Sequence, residues 1–270
     1  MSDGARPSPT AARIDAAREE GRAVLVGYLP VGYPDLATSV AAATAMVEAG
    51  VDVVELGLPY SDPVMDGPAI QQAADAALRA GTRTRHVLQA VEEVVAAGAP
   101  VLVMSYWNPV LRYGVDAFAR DLAAAGGAGL ITPDLVPDEA AEWLAASDTH
   151  GLDRVFLVAP SSTPARLRST AAACRGFVYA ASTMGVTGVR TSVGQEARRL
   201  VEDTRAAGAE RVCVGLGVST AGQAEQVASF ADGVIVGSAL VQALTDGGPD
   251  AVAALAADLA GGVRRGRVNA

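Results

Sequence analysis

Eight short apolar runs, rich in β-branched residues, recur along the chain and alternate with alanine-rich stretches of helical period. Apolar runs of this kind, without a polar face, are typical of parallel strands that helices bury on both sides. Eight such strand–helix units are the number that closes a (β/α)8 barrel. The predicted strands are Ala23–Leu29, Val51–Leu56, Val101–Ser105, Ala128–Thr132, Arg154–Val158, Phe177–Ala181, Arg211–Gly215 and Gly233–Val236.

The stretches between these runs predict the helices of the outer layer. A further alanine-rich segment, Ala11–Gly21, precedes the first strand and predicts an extra N-terminal helix that closes the bottom of the barrel. No linker rich in proline, glycine or serine divides the chain, so we expect a single TIM-barrel domain over residues 1–270. An open, doubly wound sheet is the alternative fold. The predicted helices are Leu36–Glu48, Thr84–Ala97, Val115–Ala124, Pro137–Ala146, Pro164–Ala173, Gln195–Ala207 and Thr220–Phe230.

Charge and rare residues exclude several classes of function. The formal net charge of −9 disfavours binding to nucleic acid or to an anionic membrane. The two histidines, His86 and His150, have no metal-ligand spacing, so we expect no metal site. Cys174 and Cys213 lie in apolar surroundings and are expected to be buried and reduced. No signal-peptide core or uninterrupted membrane span is found, which predicts a soluble, cytoplasmic protein.

Two carboxylates fall where a barrel places its active site, at the carboxyl ends of the strands. Glu55 ends the second strand, and burial there raises the pKa of a carboxyl group towards the range useful for proton transfer. Asp66 follows in a loop that Pro63 and Pro68 stiffen, which suits a second carboxylate that stays ionised. The alternative for Glu55 is an acid satisfied by a neighbouring cation or backbone donor. For Asp62, an ordinary turn residue that bonds its own backbone is the favoured interpretation.

Glycine-containing turns follow the sixth, seventh and eighth predicted strands. Glycine lets the backbone approach a ligand closely, and the loops after strands seven and eight of a barrel frequently bind phosphate. We therefore predict a phosphate site formed by Gly188, Gly217, Gly237 and Ser238. The alternative is that glycine is simply common at strand ends. Tyr179, in the sixth strand, either donates to a ligand or belongs to the core.

Seven segments, in order across nearly the whole chain, resemble tryptophan synthase alpha subunits, and most closely those of actinobacteria. Tyr60 departs from the family pattern, where Phe is usual. The segments that carry the resemblance are Glu55-Leu-Gly-Leu-Pro-Tyr-Ser-Asp-Pro-Val-Met-Asp-Gly-Pro68, Tyr106-Trp-Asn-Pro109, Pro133-Asp-Leu, Gly176-Phe-Val-Tyr179, Gly185-Val-Thr-Gly188, Gly215-Leu-Gly217 and Asp232-Gly-Val-Ile-Val-Gly-Ser238.

The resemblance implies a (β/α)8 barrel that cleaves indole-3-glycerol phosphate into indole and glyceraldehyde 3-phosphate. It also implies a beta-subunit partner in an alpha2beta2 heterotetramer, which receives the indole through a tunnel and carries pyridoxal phosphate. The alpha subunit itself is expected to need no cofactor and no metal.

The resemblance also assigns roles by position. Glu55 and Asp66 fall on the catalytic glutamate and aspartate of the family, and Gly188, Gly217, Gly237 and Ser238 fall on its phosphate-binding positions. Asp62 and Asn108 fall on the surface that meets the beta subunit. The expected substrate-binding residues are the indole-pocket residues Tyr28, Met104 and Ile235, the active-site tyrosine Tyr179, and the loop threonine Thr187.

Two other functions fit parts of the pattern. Another phosphate-binding barrel, such as an indoleglycerol-phosphate synthase or a sugar-phosphate isomerase, would keep the glycine turns. Those enzymes usually depend on lysine, histidine or a different set of acids, and this chain contains no lysine. A barrel kept only as a structural or regulatory subunit would not need to retain Glu55, Asp66 and the glycines.

Overall fold

A computed structural model describes residues 7–182, 190–215 and 217–266. Within these ranges, eight parallel strands each pair with the next, and the last pairs with the first, which closes the barrel. The (β/α)8 TIM barrel is therefore confirmed, and the open sheet is excluded. No predicted strand end differs from the observed end by more than two residues. The strands are β1 Val24–Pro30, β2 Val53–Gly57, β3 Val101–Met104, β4 Gly129–Thr132, β5 Asp153–Val158, β6 Val178–Ala181, β7 Val212–Gly215 and β8 Gly233–Val236.

Eleven α-helices lie in the described residues and surround the barrel. Two predicted helices had wrong boundaries. The predicted helix at Pro137–Ala146 is a 3-10 turn at Pro137–Glu139 followed by a separate helix, and the one predicted from Gln195 begins at Arg190. The helices are α1 Pro9–Glu19, α2 Leu36–Glu48, α3 Pro68–Arg79, α4 Thr84–Val95, α5 Trp107–Tyr113, α6 Val115–Ala124, α7 Ala141–His150, α8 Pro164–Ala173, α9 Arg190–Ala206, α10 Ala221–Ala228 and α11 Ser238–Arg265, which is interrupted at Gly247 and Gly248.

The core has two layers because successive side chains of a strand point to opposite faces. Alternate strand residues such as Val24, Val53, Leu102 and Val155 pack together inside the barrel. The residues between them pack outward against the helices and form a larger cluster. Both faces of every strand are therefore covered, as the continuous apolar runs predict.

Helix α1 is the predicted extra N-terminal helix. Its Ile14 and Ala17 are buried in the same cluster as the residues inside the barrel, so α1 closes the bottom. The Thr10 hydroxyl donates to an Asp153 carboxylate oxygen at 2.5 Å, at the start of β5. Arg13 donates to Asp52, which precedes β2, at 2.6 Å. Apolar burial and these polar contacts together fix α1 at the end of the barrel opposite to the βα loops.

The described residues bear on the predictions about a membrane span, a metal site and the cysteines. No helix in the described residues is both long and apolar enough to cross a membrane. The same residues hold no group of three or more His, Cys, Asp or Glu side chains that could bind a metal ion. Cys174 and Cys213 are both free thiols. Cys213 is buried as predicted, whereas Cys174, at the end of α8, is partly exposed.

Candidate active site

A cavity of about 430 Å³ opens where the strands end and the βα loops begin. Nine of the predicted site residues line it, although they come from six of the eight βα units and lie far apart in sequence. Thr187 and Gly188 lie outside the described residues. The nine that line the cavity are Tyr28, Glu55, Asp66, Met104, Tyr179, Gly217, Ile235, Gly237 and Ser238.

Glu55 lies at the inner end of the cavity, on β2, between Tyr28 of β1 and Leu102 of β3 in the strand register. Its side chain is only 1 % exposed, and its Oε1 atom has no hydrogen-bond partner. Within the described residues no arginine pairs with it, so the alternative of a charge-satisfied structural acid is not supported. Burial raises the pKa of Glu55 to about 8. The carboxyl group is therefore mainly protonated at neutral pH.

Asp66 is held at the mouth of the cavity by a loop with several hydrogen bonds. Its own N–H donates to the Pro63 carbonyl at 3.1 Å, and Gln71 Nε2 donates to the Asp66 carbonyl at 2.8 Å. The Tyr106 hydroxyl accepts the N–H of Met65 at 2.8 Å. Burial raises the pKa of Asp66 to about 6, against the lowering effect of a hydrogen-bonding contact with Tyr106. Asp66 is thus mainly ionised at neutral pH, while Glu55 holds its proton.

Two tyrosines line the cavity, and each ring lies against a glycine of the neighbouring strand. A Cβ atom added at Gly215 would lie 2.5 Å from the Tyr179 hydroxyl, and one at Gly57 would collide with the Tyr28 hydroxyl. Burial raises the pKa of both hydroxyls well above the ordinary tyrosine value. Both therefore stay protonated and can donate a hydrogen bond to a ligand.

Gly217, Gly237 and Ser238 lie together at the cavity, where α11 begins. Gly217 has φ +68°, a conformation that favours glycine. Helix α11 begins at Ser238, and no side chain of the described residues caps it. Its first N–H groups therefore remain available for an anion at the positive end of the helix dipole. The Asp66 loop reaches this place, since a Cβ atom at Gly67 would lie 3.9 Å from Ser238 Oγ.

The two residues assigned to the partner surface lie outside the cavity, and both are exposed. Asn108 Nδ2 donates to the Tyr60 hydroxyl at 3.3 Å. Asp62 accepts from the Ser61 hydroxyl at 2.6 Å, in addition to a backbone turn in which its carbonyl accepts from Val64. Val64 is 81 % exposed and Met65 59 % exposed, so this surface is apolar as well as polar.

Sequence reasoning did not assign several residues that line the cavity. Leu157 could have been found from the strand register, because it lies beside Tyr179 and must point to the same face. Ile70 comes from α3, whose start Pro68 signals as a first-turn proline. The unassigned lining residues are Met65, Gly67, Ile70, Pro133, Leu157, Ala181, Ser182 and Gly215.

The histidines have local structural contacts far from the cavity. His86 Nδ1 accepts the N–H of Arg83 at 3.1 Å at the start of α4, and His150 contacts Asp116 at 2.9 Å. The chain has no lysine. A phosphate-binding barrel that depends on lysine or histidine chemistry is therefore a poor match to this cavity.

Comparison with known proteins agrees with this geometry. A sequence model of the family described as tryptophan synthase alpha chain matches residues 14–261. The tryptophan synthase alpha chain of Mycobacterium avium is 64 % identical over 252 residues, 93 % of each chain. That of Mycobacterium bovis BCG Pasteur is 62 % identical over 266 residues, which is 98 % of this chain and 97 % of the relative. A structure of Mycobacterium tuberculosis tryptophan synthase superposes with a TM-score of 0.91 at 61 % identity, covering 96 % of this chain and 99 % of that one. The chain belongs to the tryptophan synthase alpha chain family.

Proposed function

We propose that this chain cleaves indole-3-glycerol phosphate to indole and glyceraldehyde 3-phosphate, with Glu55 and Asp66 as its catalytic residues. The observation that carries the proposal is the pairing of two carboxyl groups with different pKa values in one cavity. Glu55 is buried, with a pKa of about 8, whereas Asp66 has a pKa of about 6. At neutral pH one is an acid and the other an anion, which is the division that this reaction needs.

The reaction is a retro-aldol cleavage, and it begins when indole C3 gains a proton. Glu55, protonated in the resting site, donates that proton and becomes a carboxylate. The carboxylate then removes the proton of the glycerol C3′ hydroxyl as the carbon–carbon bond breaks and its electron pair returns to the indole ring. Glu55 ends the cycle protonated, so one group serves as acid and then as base.

Protonation at C3 places positive charge on the indole ring nitrogen. Asp66, ionised at neutral pH, stabilises that charge by accepting a hydrogen bond from the ring N–H. Because the loop backbone around Asp66 is already fixed by hydrogen bonds, little reorganisation is needed when the charge develops.

The rest of the cavity binds the two ends of the substrate. Tyr28, Met104 and Ile235 supply the surface for the indole ring, with Tyr179 and Thr187 as further substrate contacts. The phosphate is bound by backbone N–H groups and a hydroxyl from Gly188, Gly217, Gly237 and Ser238. Binding at this remote end orients the scissile bond between the carboxyl groups.

The partner is a tryptophan synthase beta subunit, in an alpha2beta2 heterotetramer that receives the indole directly. We assign Asp62 and Asn108 to the surface that contacts it, beside the exposed Val64 and Met65. Pyridoxal phosphate belongs to that partner, and the chemistry assigned to this chain requires only its carboxyl groups. The free thiols of Cys174 and Cys213 fit a reducing compartment, in agreement with a cytoplasmic location.

The test is indole release from indole-3-glycerol phosphate by the purified chain, with and without its cognate beta subunit. We expect slow release by the chain alone and much faster release in the complex. Glu55→Gln should abolish release in both conditions while circular dichroism stays unchanged. Asp66→Asn should lower kcat by at least about 100-fold, the effect of removing one preorganised electrostatic group. Substantial turnover by Glu55→Gln, or an unchanged rate in Asp66→Asn, would refute the corresponding role.

A further inference from the structure

Tyr106 is a buried tyrosine at the edge of the site to which the proposed mechanism gives no role. It lies two residues after the end of β3, forms the N-cap of α5, and is 5 % exposed. Its ring stacks against that of Tyr60, with centroids 5.1 Å apart and an interplanar angle of 29°. A tyrosine needed only for packing would not require its hydroxyl to reach a neighbouring loop.

The hydroxyl of Tyr106 meets the Asp66 loop twice. It accepts the backbone N–H of Met65, the residue before Asp66, at 2.8 Å. A phenol oxygen that accepts one hydrogen bond still has its own proton to donate. That proton is available to the Asp66 carboxylate, whose interaction with the hydroxyl lowers the pKa of Asp66 against the effect of burial. One side chain thus holds the loop backbone by a hydrogen bond and also acts on the carboxylate of the same loop.

The position of Tyr106 is itself fixed from the other side. The N–H of the next residue, Trp107, donates to Asp134 Oδ1 at 2.9 Å, which anchors the start of α5 to the loop after β4. Together with the Tyr60 stack, this contact holds the phenol in place. The residues around Tyr106 are therefore tied both to the loop after β4 and to the loop that carries Asp66.

We propose that Tyr106 is a positioning residue, which orients the Asp66 carboxylate towards the indole ring nitrogen through its hydroxyl. This inference rests on the role proposed for Asp66. Tyr106 does not touch the reacting atoms, so its loss should reduce the rate of the chemical step more than substrate binding.

Few other groups can titrate in the same pH range. Tyr28 and Tyr179 interact electrostatically with Asp66, but burial raises their pKa values well above the ordinary range, so both stay neutral. The pKa of Glu55 lies higher, at about 8. Asp134 faces Tyr106, and burial raises its pKa. No arginine lines the described part of the cavity. The substrate phosphate also titrates at about pH 6, but it is the same in every variant, so a shift of the acid limb between Tyr106→Phe and wild type reports on the protein.

The test compares Tyr106→Phe with wild type in the complex with the beta subunit. Without the hydroxyl, burial raises the pKa of Asp66 unopposed, and the acid limb of kcat/KM should move to higher pH by about one unit. At pH 7 we expect kcat to fall by about tenfold, with KM changing by less than about threefold. The control is Tyr113→Phe, which removes a hydroxyl that donates to Asp121 at 2.7 Å outside the cavity and should change neither quantity.

A double variant separates the two roles. In an Asp66→Asn background, Tyr106→Phe should cost less than about twofold further, because both act through the same group. A full additional loss, or an unshifted acid limb in Tyr106→Phe alone, overturns the proposal for Tyr106. An unchanged rate in Asp66→Asn alone would instead refute the role of Asp66.

A second substitution keeps the test decisive if Tyr106→Phe does not fold. Incorporation of 3-fluorotyrosine at position 106 preserves the ring and makes the hydroxyl a stronger donor. The acid limb should then move to lower pH, opposite to the effect of Tyr106→Phe. No shift, or a shift to higher pH, would contradict a donor role for Tyr106.

Discussion

At the scale of single residues, different degrees of burial give two chemically similar carboxyl groups different pKa values. Glu55 lies inside the barrel with one oxygen unpartnered, and desolvation raises its pKa to about 8. Asp66 lies nearer to solvent in a hydrogen-bonded loop, and its pKa rises only to about 6. Between these two values the site holds one protonated acid and one anion.

This separation predicts a bell-shaped dependence of kcat/KM on pH for the complex. As pH falls through about 6, Asp66 gains a proton and can no longer stabilise the indole cation, so the rate decreases. As pH rises through about 8, Glu55 loses the proton that it must donate, and the rate decreases again. In Asp66→Asn only the substrate phosphate, which titrates at about pH 6, should contribute to the acid limb, so the limb should match the separately measured ionisation of the substrate. An acid limb at another pH would mean that a different protein group controls it.

The same burial predicts a cost in stability. The native state retains the Glu55 proton up to a pKa of about 8, whereas the unfolded chain loses it near 4.5, so stability falls as pH rises between these values. Glu55→Gln removes this titration. Between pH 5 and pH 7, wild type should lose about 3 kcal/mol of unfolding free energy through this group, and Glu55→Gln should not show that loss. Urea unfolding at both pH values measures the difference.

The control for this comparison is Glu202→Gln, on the exposed face of α9. It makes the same substitution at a surface position. If the unfolding free energies of Glu55→Gln and Glu202→Gln depended on pH in the same way, the buried carboxyl group would not have a raised pKa.

At the scale of elements, the strands could be predicted because their signal is local. A run such as Val101–Val103 is apolar without alternation, and each predicted strand was found. Helix α3 and the short α5 were not predicted, because their proline-containing starts are read equally well as loops. The extent of the cavity was also missed in part, since Leu157 lines it through strand register and Tyr106 supports its Asp66 loop through loop packing. Those contacts join distant segments and leave no pattern in one stretch of sequence.

The tyrosine rings pack closely against glycines at the strand ends, so a single added methyl group there should disturb the site. In Gly215→Ala the new Cβ would lie 2.5 Å from the Tyr179 hydroxyl, so the ring must move. We expect kcat/KM to fall by at least about tenfold and stability by about 1–3 kcal/mol. Gly222→Ala is the matched control, since nothing lies within 4 Å of its added Cβ at the start of α10. Equal kinetics of the two variants would show that Tyr179 needs no fixed position.

At the scale of the whole molecule, the contacts that hold helix α1 and the candidate active site lie at opposite ends of the barrel. Helix α1 and the contacts of Asp52 and Asp153 lie at the bottom, while Glu55, Asp66 and the proposed phosphate site lie at the opposite end. Pairing of β8 with β1 joins the two ends of the barrel sequence. That residues 1–270 form a single domain stays a prediction. The exposed apolar residues of the Asp66 loop lie at the functional end, beside the proposed partner surface.

This arrangement predicts that one charge on the Asp66 loop weakens the complex without unfolding the chain. Val64 is 81 % exposed, so Val64→Glu removes no core packing, and we expect the unfolding free energy to change by less than about 0.5 kcal/mol. In an interface core, however, a buried carboxylate without a partner raises Kd by at least about tenfold. Titration calorimetry with the cognate beta subunit measures Kd, and indole release measures the lost stimulation. Ala257→Glu, on the exposed face of α11, adds the same charge elsewhere and should leave Kd unchanged. Equal affinity of both variants would place the beta subunit on another surface.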